Sequence, residues 1–267
     1  MELKQLGTTG VQLPEIGLGT WAYSGGVKPL QKGISLGAFL IDTAEIYGTE
    51  GIVGEAVKGQ RDRVFIATKV SASHLRYDDV LRAAEDSLKR LGTDYIDFYQ
   101  VHWPNRSVPI RETMRAMEDL VDMERVNFIG VSNFSARDLQ EAQESMIKYR
   151  VVSNQVLYSL VNREIEENLL PYCEKNDILV IAYSPLARGG LTTRPLLRRR
   201  RAMNVLQEIV KETGKTMAQV SLNWCISRPN VIAIPKSDRV DRVAENCQAS
   251  GWRLSAEQVE ALNEAFQ

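Results

Sequence analysis

Eight short apolar runs recur along the chain, and their spacing limits the folds open to it. They are EIGLG (15–19), FLID (39–42), VFIATKV (64–70), YIDFYQVH (95–102), NFIGVS (127–132), VVSNQ (151–155), ILVIAYS (178–184) and VIAIPKS (231–237). Several are nearly continuous and rich in β-branched residues, the pattern of parallel strands buried on both faces. Helix-like segments lie between them. Tyr77–Leu91 places Val80, Leu81, Ala84, Leu88 and Leu91 on one stripe, and 110–123 and 165–176 read the same way. The first crossover, 28–37, is the shortest and is bounded by glycine. Strands alternating with helices, with no Gly/Ser/Pro linker, predict a (β/α)8 barrel formed as a single domain over residues 1–267. An N-terminal β-hairpin precedes it: 3–6, a turn at Thr8-Thr9-Gly10, then 11–13.

Composition narrows the function. The 267 residues are 44% hydrophobic and 25% charged, with a net charge of −1. No basic field favours nucleic acid. The dense basic run RPLLRRRR (194–201) has no aromatic interleaved, so it reads as a solvated loop or a flap over a ligand. Three scattered cysteines, Cys173, Cys225 and Cys247, fit a reducing compartment better than a disulfide framework. The opening MELKQLGTTG lacks an apolar signal core, and no run is long enough to span a membrane. A cytoplasmic monomer is expected, with no membrane or nucleic-acid partner. The two histidines, His74 and His102, have no Cys–His spacing around them, so no metal site is expected.

A barrel places its chemistry where strands end. The second run ends at Asp42, and Tyr47 follows in the loop FLIDTAEIYGTEGIVG. Lys69 lies near the end of the third run, and His102 follows the fourth. Each alone has an ordinary structural use as a cap, packing residue or local hydrogen-bond partner. Delivered together to one rim, they fit a task. A phenol has a pKa of about 10. A neighbouring ammonium lowers it, and a carboxylate can hold the lysine. His102 can orient a substrate carbonyl. Tyr47 would then protonate a carbonyl oxygen while hydride reaches carbon, and that hydride requires a nicotinamide cofactor.

Two segments compete to hold the cofactor. GLGTWA (17–22) satisfies G-x-G-x-x-[G/A], with Asp42 further on, as in a Rossmann fingerprint. The following YSGGVKP does not open the helix that such a site needs. IPKSDRVDRVAEN (234–246) is the better anion site, where Lys236, Ser237 and Arg242 can converge on a phosphate at a strand–helix junction. An extra phosphate points to NADP(H), with NAD(H) a weaker alternative.

The same residues resemble the aldo-keto reductase family, in its compact prokaryotic form, over about 3–262. IDTAEIYGTEGIVG is similar to the catalytic-loop motif of that family, GVSNF (130–134) to its second motif, and IPKS…R…EN to its third. GLGTW, NQ (154–155) and YSPL (183–186) resemble family segments in the same order. The resemblance implies NADPH-dependent reduction of aldehydes or ketones, with Asp42, Tyr47, Lys69 and His102 catalytic. It places Ser132, Asn133 and Gln155 on the nicotinamide carboxamide and Tyr183 against its ring. Ser184, Leu186, Lys236 and Ser237 would follow the diphosphate and adenosine end, with Arg242, Glu245 and Asn246 around the adenosine. Thr20 and Trp21 fall among the cofactor contacts, and Trp21 and Trp103 resemble substrate-pocket walls. Specificity would come from the loops 21–30, 103–110 and 186–204. SAEQVEALNEAF near the end reads as a capped helix, with Ser255 as N-cap and Gln258 at N3, and the short tail implies an open site. One departure stands out: Glu124-Arg125 replaces a Gly-Lys pair, straining a left-handed helix stop. A nucleotide-sensing protein on the same barrel is the competing reading, distinguished by tight NADPH binding without turnover.

Overall fold

Two short strands, β1 (Leu3–Gln5) and β2 (Gln12–Pro14), form the antiparallel hairpin expected at the start. The apolar runs then become one parallel sheet in chain order: β3 (Leu18–Gly19), β4 (Leu40–Asp42), β5 (Phe65–Val70), β6 (Ile96–Val101), β7 (Val126–Ser132), β8 (Val151–Leu157), β9 (Leu179–Tyr183) and β10 (Val231–Ala233). The sheet closes on itself. Ile16 bridges Ala233 in parallel, and the Gly17 N–H donates to the Ala233 carbonyl at 2.8 Å. This is the (β/α)8 barrel that the pattern predicts. The structure, a computed structural model, describes residues 1–192 and 199–267. Most of the basic run, 194–198, lies outside the described residues.

Closure depends on glycine. A Cβ at Gly19 would lie 2.7 Å from the Ile234 carbonyl oxygen, so the first and last strands could not meet around a larger residue. The G-x-G of residues 17–19 is therefore a packing device of the closing strand, and the Rossmann reading falls.

Ten helices follow among the described residues: α1 (Val27–Ser35), α2 (Glu50–Val57), α3 (Tyr77–Leu91), α4 (Ile110–Asp122), α5 (Ala136–Glu144), α6 (Leu169–Lys175), α7 (Arg200–Thr213), α8 (Met217–Ile226), α9 (Val240–Cys247) and α10 (Ala256–Ala265). None is long and apolar enough to cross a membrane. The expected helix over 165–176 splits into a 3-10 turn, Glu164–Glu166, and then α6. Pro171 explains the split, because a residue without an N–H belongs in the first turn of a helix. Ser255 and Gln258 make the expected capping box of α10. All three cysteines are buried and unpaired.

Strand periodicity sorts the interior. Leu40 of β4, Phe65 and Ala67 of β5, Phe98 of β6, Leu179 and Ile181 of β9, and Ile232 of β10 form one buried cluster inside the barrel. Their strand neighbours Ile41, Ile66, Val70 and Val180 face the helices in a larger cluster. Leu6 and Leu13 of the hairpin region, both fully buried, join the interior cluster and plug that end. Lys4 fastens the plug, its ammonium donating to the carbonyls of Ile226, Arg228 and Val231 at 2.5, 2.7 and 2.6 Å. Burial pulls its pKa down to about 8.

The stop of α4 is strained as expected. Glu124 takes φ 58°, and Arg125 N–H returns to the Leu120 carbonyl at 2.9 Å. A left-handed L-residue costs roughly 1–2 kcal/mol, part of which a glycine gives back through its freer unfolded state. Glu124→Gly is expected to raise stability by about 0.5–1 kcal/mol, read as a higher urea midpoint at unchanged slope.

Candidate active site

Period-2 geometry carries the interior from apolar to polar along each strand. Leu40 leads to Asp42, Phe65 and Ala67 to Lys69, and Phe98 to Gln100 and His102. Leu179 and Ile181 lead to Tyr183, and Ile232 and Ile234 to Lys236. In β8 a register shift opposite Ile129/Gly130 advances the strand by one residue. Ser153 then pairs with Gly130 and Gln155 with Ser132. The barrel is thus dry at the hairpin end and functional at the strand C-terminal end.

At the centre of the polar end, Lys69 is fully buried. Its ammonium donates to Asp42 Oδ2 at 2.7 Å and to the Thr43 carbonyl at 2.8 Å. Burial pulls the Lys69 pKa below its ordinary value, against the opposing pull of Asp42. The second oxygen of Asp42 accepts from Gln155 Nε2 at 2.7 Å and from Gln100 Nε2 at 3.4 Å. Tyr47 sits in a 3-10 turn, Glu45–Tyr47, directly after β4. Its ring lies 4.9 Å from the Lys69 ammonium, and its hydroxyl is 3.3 Å from His102 Nε2. The Glu45 carboxylate anchors this turn by accepting the Ser71 N–H, two residues beyond Lys69. The four residues read from the sequence therefore meet.

The acidity of Tyr47 differs from expectation. Burial, with Asp42 and Tyr183 adding to it, pushes its pKa well above the ordinary tyrosine value. The nearby Lys69 ammonium does not offset this rise. Tyr47 is held as a neutral hydroxyl. Burial, and then the Lys69 charge, lower His102 to about 4. His102 is therefore a neutral imidazole near neutrality, and its buried Nδ1 has no partner among the described residues.

A cleft of about 650 Å3 runs from this cluster across the rim. It is lined by all thirteen expected cofactor positions: Thr20, Trp21, Ser132, Asn133, Gln155, Tyr183, Ser184, Leu186, Lys236, Ser237, Arg242, Glu245 and Asn246. Thr20 has a second task, its hydroxyl donating to the Asp42 carbonyl at 2.9 Å. Trp21 and Trp103 flank the reacting end, 54% and 50% exposed. Asn133 Nδ2 donates to the His102 carbonyl and to Ser132 Oγ, both at 3.0 Å, and its Oδ1 accepts from the Tyr183 hydroxyl at 2.9 Å. At the far end, Lys236 pairs with Asp238, and Arg242 with Glu245 at 2.6 Å. The donors suit a dinucleotide. Amide and hydroxyl groups lie at the reacting end, and cations paired with partly buried carboxylates lie at the other.

Sequence reading missed Gln100, Ile46 and Arg188. Gln100 had a signal, because it lies two residues before His102 and shares its face of β6. Ile46 and Arg188 line the cleft from loops, where no period reveals direction. Backbone strain concentrates here too. Ala22, Asn133, Ser184 and Arg188 line the cleft with φ of 51°, 62°, 50° and 53°.

Comparison with known proteins agrees with this geometry. The family model described as "Aldo/keto reductase family" matches residues 15–267. Methylglyoxal reductase YeaE of Escherichia coli (strain K12) is 39% identical over 278 residues, covering 100% of this chain and 96% of that protein. The crystal structure of an aldo-keto reductase from Klebsiella pneumoniae in complex with NADPH superposes with TM-score 0.92 at 37% identity, covering 100% of this chain and 96% of that one. A thermostable aldo-keto reductase in complex with the inhibitor epalrestat gives TM-score 0.92 at 41% identity, covering 99% and 100%. The chain belongs to the aldo/keto reductase family and is an oxidoreductase.

Proposed function

We propose that the cleft binds NADPH and that the chain reversibly reduces aldehydes and ketones to alcohols, with Tyr47 as proton donor. The observation that carries this reading is the Tyr47 hydroxyl 3.3 Å from a neutral His102, with its ring beside the buried Lys69–Asp42 pair. The Klebsiella relative binds NADPH, and the Escherichia coli relative is a methylglyoxal reductase; both support the assignment.

When bound, the nicotinamide supplies the hydride that a carbonyl carbon accepts. The protein supplies the proton and the frame. Tyr47, neutral because it is buried, gives its proton to the carbonyl oxygen as negative charge develops there. Lys69 stabilises the phenolate left behind, at a distance fixed by Asp42 and the Thr43 carbonyl. Neutral His102 can donate from Nε2, which orients the carbonyl oxygen toward Tyr47 without competing as an acid. In the alcohol-oxidising direction the same phenolate is the base. Ser132, Asn133 and Gln155 would hold the carboxamide, and Tyr183 would cover the nicotinamide ring. Lys236, Ser237 and Arg242 would take the extra phosphate of NADPH, the two cations trading a carboxylate for a phosphate oxygen. That exchange favours NADPH over NADH.

Removing the phenolic oxygen should abolish the acid and spare the cofactor. Tyr47→Phe is expected to reduce kcat with a reactive aldehyde by about 10²–10⁴-fold, with the NADPH Kd unchanged by fluorescence titration. A variant as active as wild type would remove Tyr47 from the mechanism. Lys236→Met should weaken NADPH by about tenfold, the worth of one charged hydrogen bond, and leave NADH within about twofold. Equal losses for both cofactors would place Lys236 elsewhere than on the extra phosphate.

The lowered pKa of His102 fixes a pH dependence of stability. Between its folded value of about 4 and the ordinary value of 6.5, the unfolded chain binds a proton that the folded chain refuses. Stability from this group is thus present above 6.5 and lost as pH falls toward 4. Urea midpoints across that window should fall less steeply in His102→Gln than in wild type. Parallel slopes would show that His102 titrates normally.

A further inference from the structure

Among the described residues three cations line the cleft, and two are already matched. Lys236 is paired with Asp238, and Arg242 with Glu245. Arg188 makes no ion pair or side-chain hydrogen bond among the described residues, yet it lines the same cleft. Its guanidinium lies 5.3 Å from the centre of the Trp21 ring, the half-exposed wall beside Tyr47 and His102. The backbone that brings it there is held in an unfavourable conformation. Ala187 and Arg188 are consecutive left-handed residues, with φ of 49° and 53°, in the tight turn Ala187–Gly189 after β9.

The described surroundings leave this charge uncompensated. Asp42, which also lines the cleft, has both oxygens committed to Lys69, Gln155 and Gln100. The remaining walls at the reacting end are Trp21, Ile46 and Trp103, all apolar and half or more exposed. The charge of Arg188 also reaches Tyr183, opposing the rise that burial causes there. The reacting end is therefore a hydrophobic mouth with one guanidinium over an indole ring and no free carboxylate among its described residues. A planar guanidinium fixed on an indole face is well suited to receive a carboxylate in bidentate fashion.

We propose that Arg188 is a specificity residue that selects carbonyl substrates carrying an anionic group, a carboxylate above all, with Trp21 holding its guanidinium in place. The inference rests on the carbonyl-reductase reading of the cleft. The diphosphate of a bound dinucleotide offers the same anionic chemistry, so the test must separate the two sources.

Wild type and Arg188→Met are compared on 4-carboxybenzaldehyde and 4-methylbenzaldehyde, matched in size and differing in charge. The NADPH Kd is measured for each protein, and benzoate is titrated calorimetrically with and without NADPH. The variant is expected to lose about tenfold in kcat/KM on the acid, mainly through KM, and less than about threefold on the neutral aldehyde. Benzoate should weaken by a similar factor, with NADPH binding unchanged. Equal losses on both aldehydes with weaker NADPH binding would assign Arg188 to the cofactor diphosphate and overturn the proposal. Equal losses with NADPH binding intact, or no losses, would make it only a wall residue and overturn it equally. If wild type reduces neither aldehyde while benzoate binding still requires Arg188, the reductase reading fails and the anion site stands. If benzoate binds both proteins alike, the anion site itself fails.

Discussion

An ammonium group sealed inside a barrel has to be answered by its surroundings. Transfer of such a charge from water costs several kcal/mol even after relaxation, and loss of a single partner costs about 3–5 kcal/mol. Lys69 meets this demand with Asp42 at 2.7 Å and the Thr43 carbonyl at 2.8 Å. Asp42 in turn is held from β8 by Gln155 and from β6 by Gln100. One buried ion pair therefore ties β4, β5, β6 and β8 together at the polar end. The turn that carries Tyr47 leaves β4 directly beyond Asp42, and Glu45 pins it to the end of β5. The position of the hydroxyl follows from this frame more than from anything in its own loop.

The same frame explains the two perturbed acidities. Burial governs the phenol, with Asp42 and Tyr183 adding to the rise, and keeps it protonated. His102 faces burial and a residual cation with no carboxylate against it, and so stays neutral. In the resting pair a neutral acid therefore stands beside a neutral donor. Development of negative charge on a substrate oxygen is what would draw the proton out, because the phenolate gains the Lys69 ammonium only as it forms.

What the sequence disclosed follows from where periodicity operates. The ends of the apolar runs placed Asp42, Lys69 and His102 on one rim, and the three-residue capping pattern located α10. The signal failed where burial removes contrast. Every residue from Ala218 to Ile226 in α8 is buried, so no polar face marks a helix there. It failed again at β8, because a single extra residue changes which side chains face inward and no composition betrays it. The sign of the Tyr47 shift was hidden for another reason. The sequence shows that a lysine is near, but not how far burial outweighs it at the phenol. The pairing of Lys236 with Asp238 in a loop was equally invisible, whereas Arg242 and Glu245 stand at the i,i+3 spacing of a helix.

Positive φ means different things at different places in this chain. At Glu124 the strain ends a helix far from the cleft, on an exposed residue whose side chain no described ion pair or hydrogen bond employs, so glycine would serve there at least as well. At Ser184, Ala187 and Arg188 three left-handed residues fall within five positions of one loop, and glycine at Ser184 or Arg188 would lose a side chain that lines the cleft. A chain can carry a cost of that size only on a scaffold with stability to spare. The dry half of the barrel provides it: Leu6 and Leu13 close the interior, and Lys4 locks the hairpin to three carbonyls. Division of one continuous interior into an apolar half and a polar half is thus what permits strain, buried charge and an open aromatic mouth to coexist at the other rim.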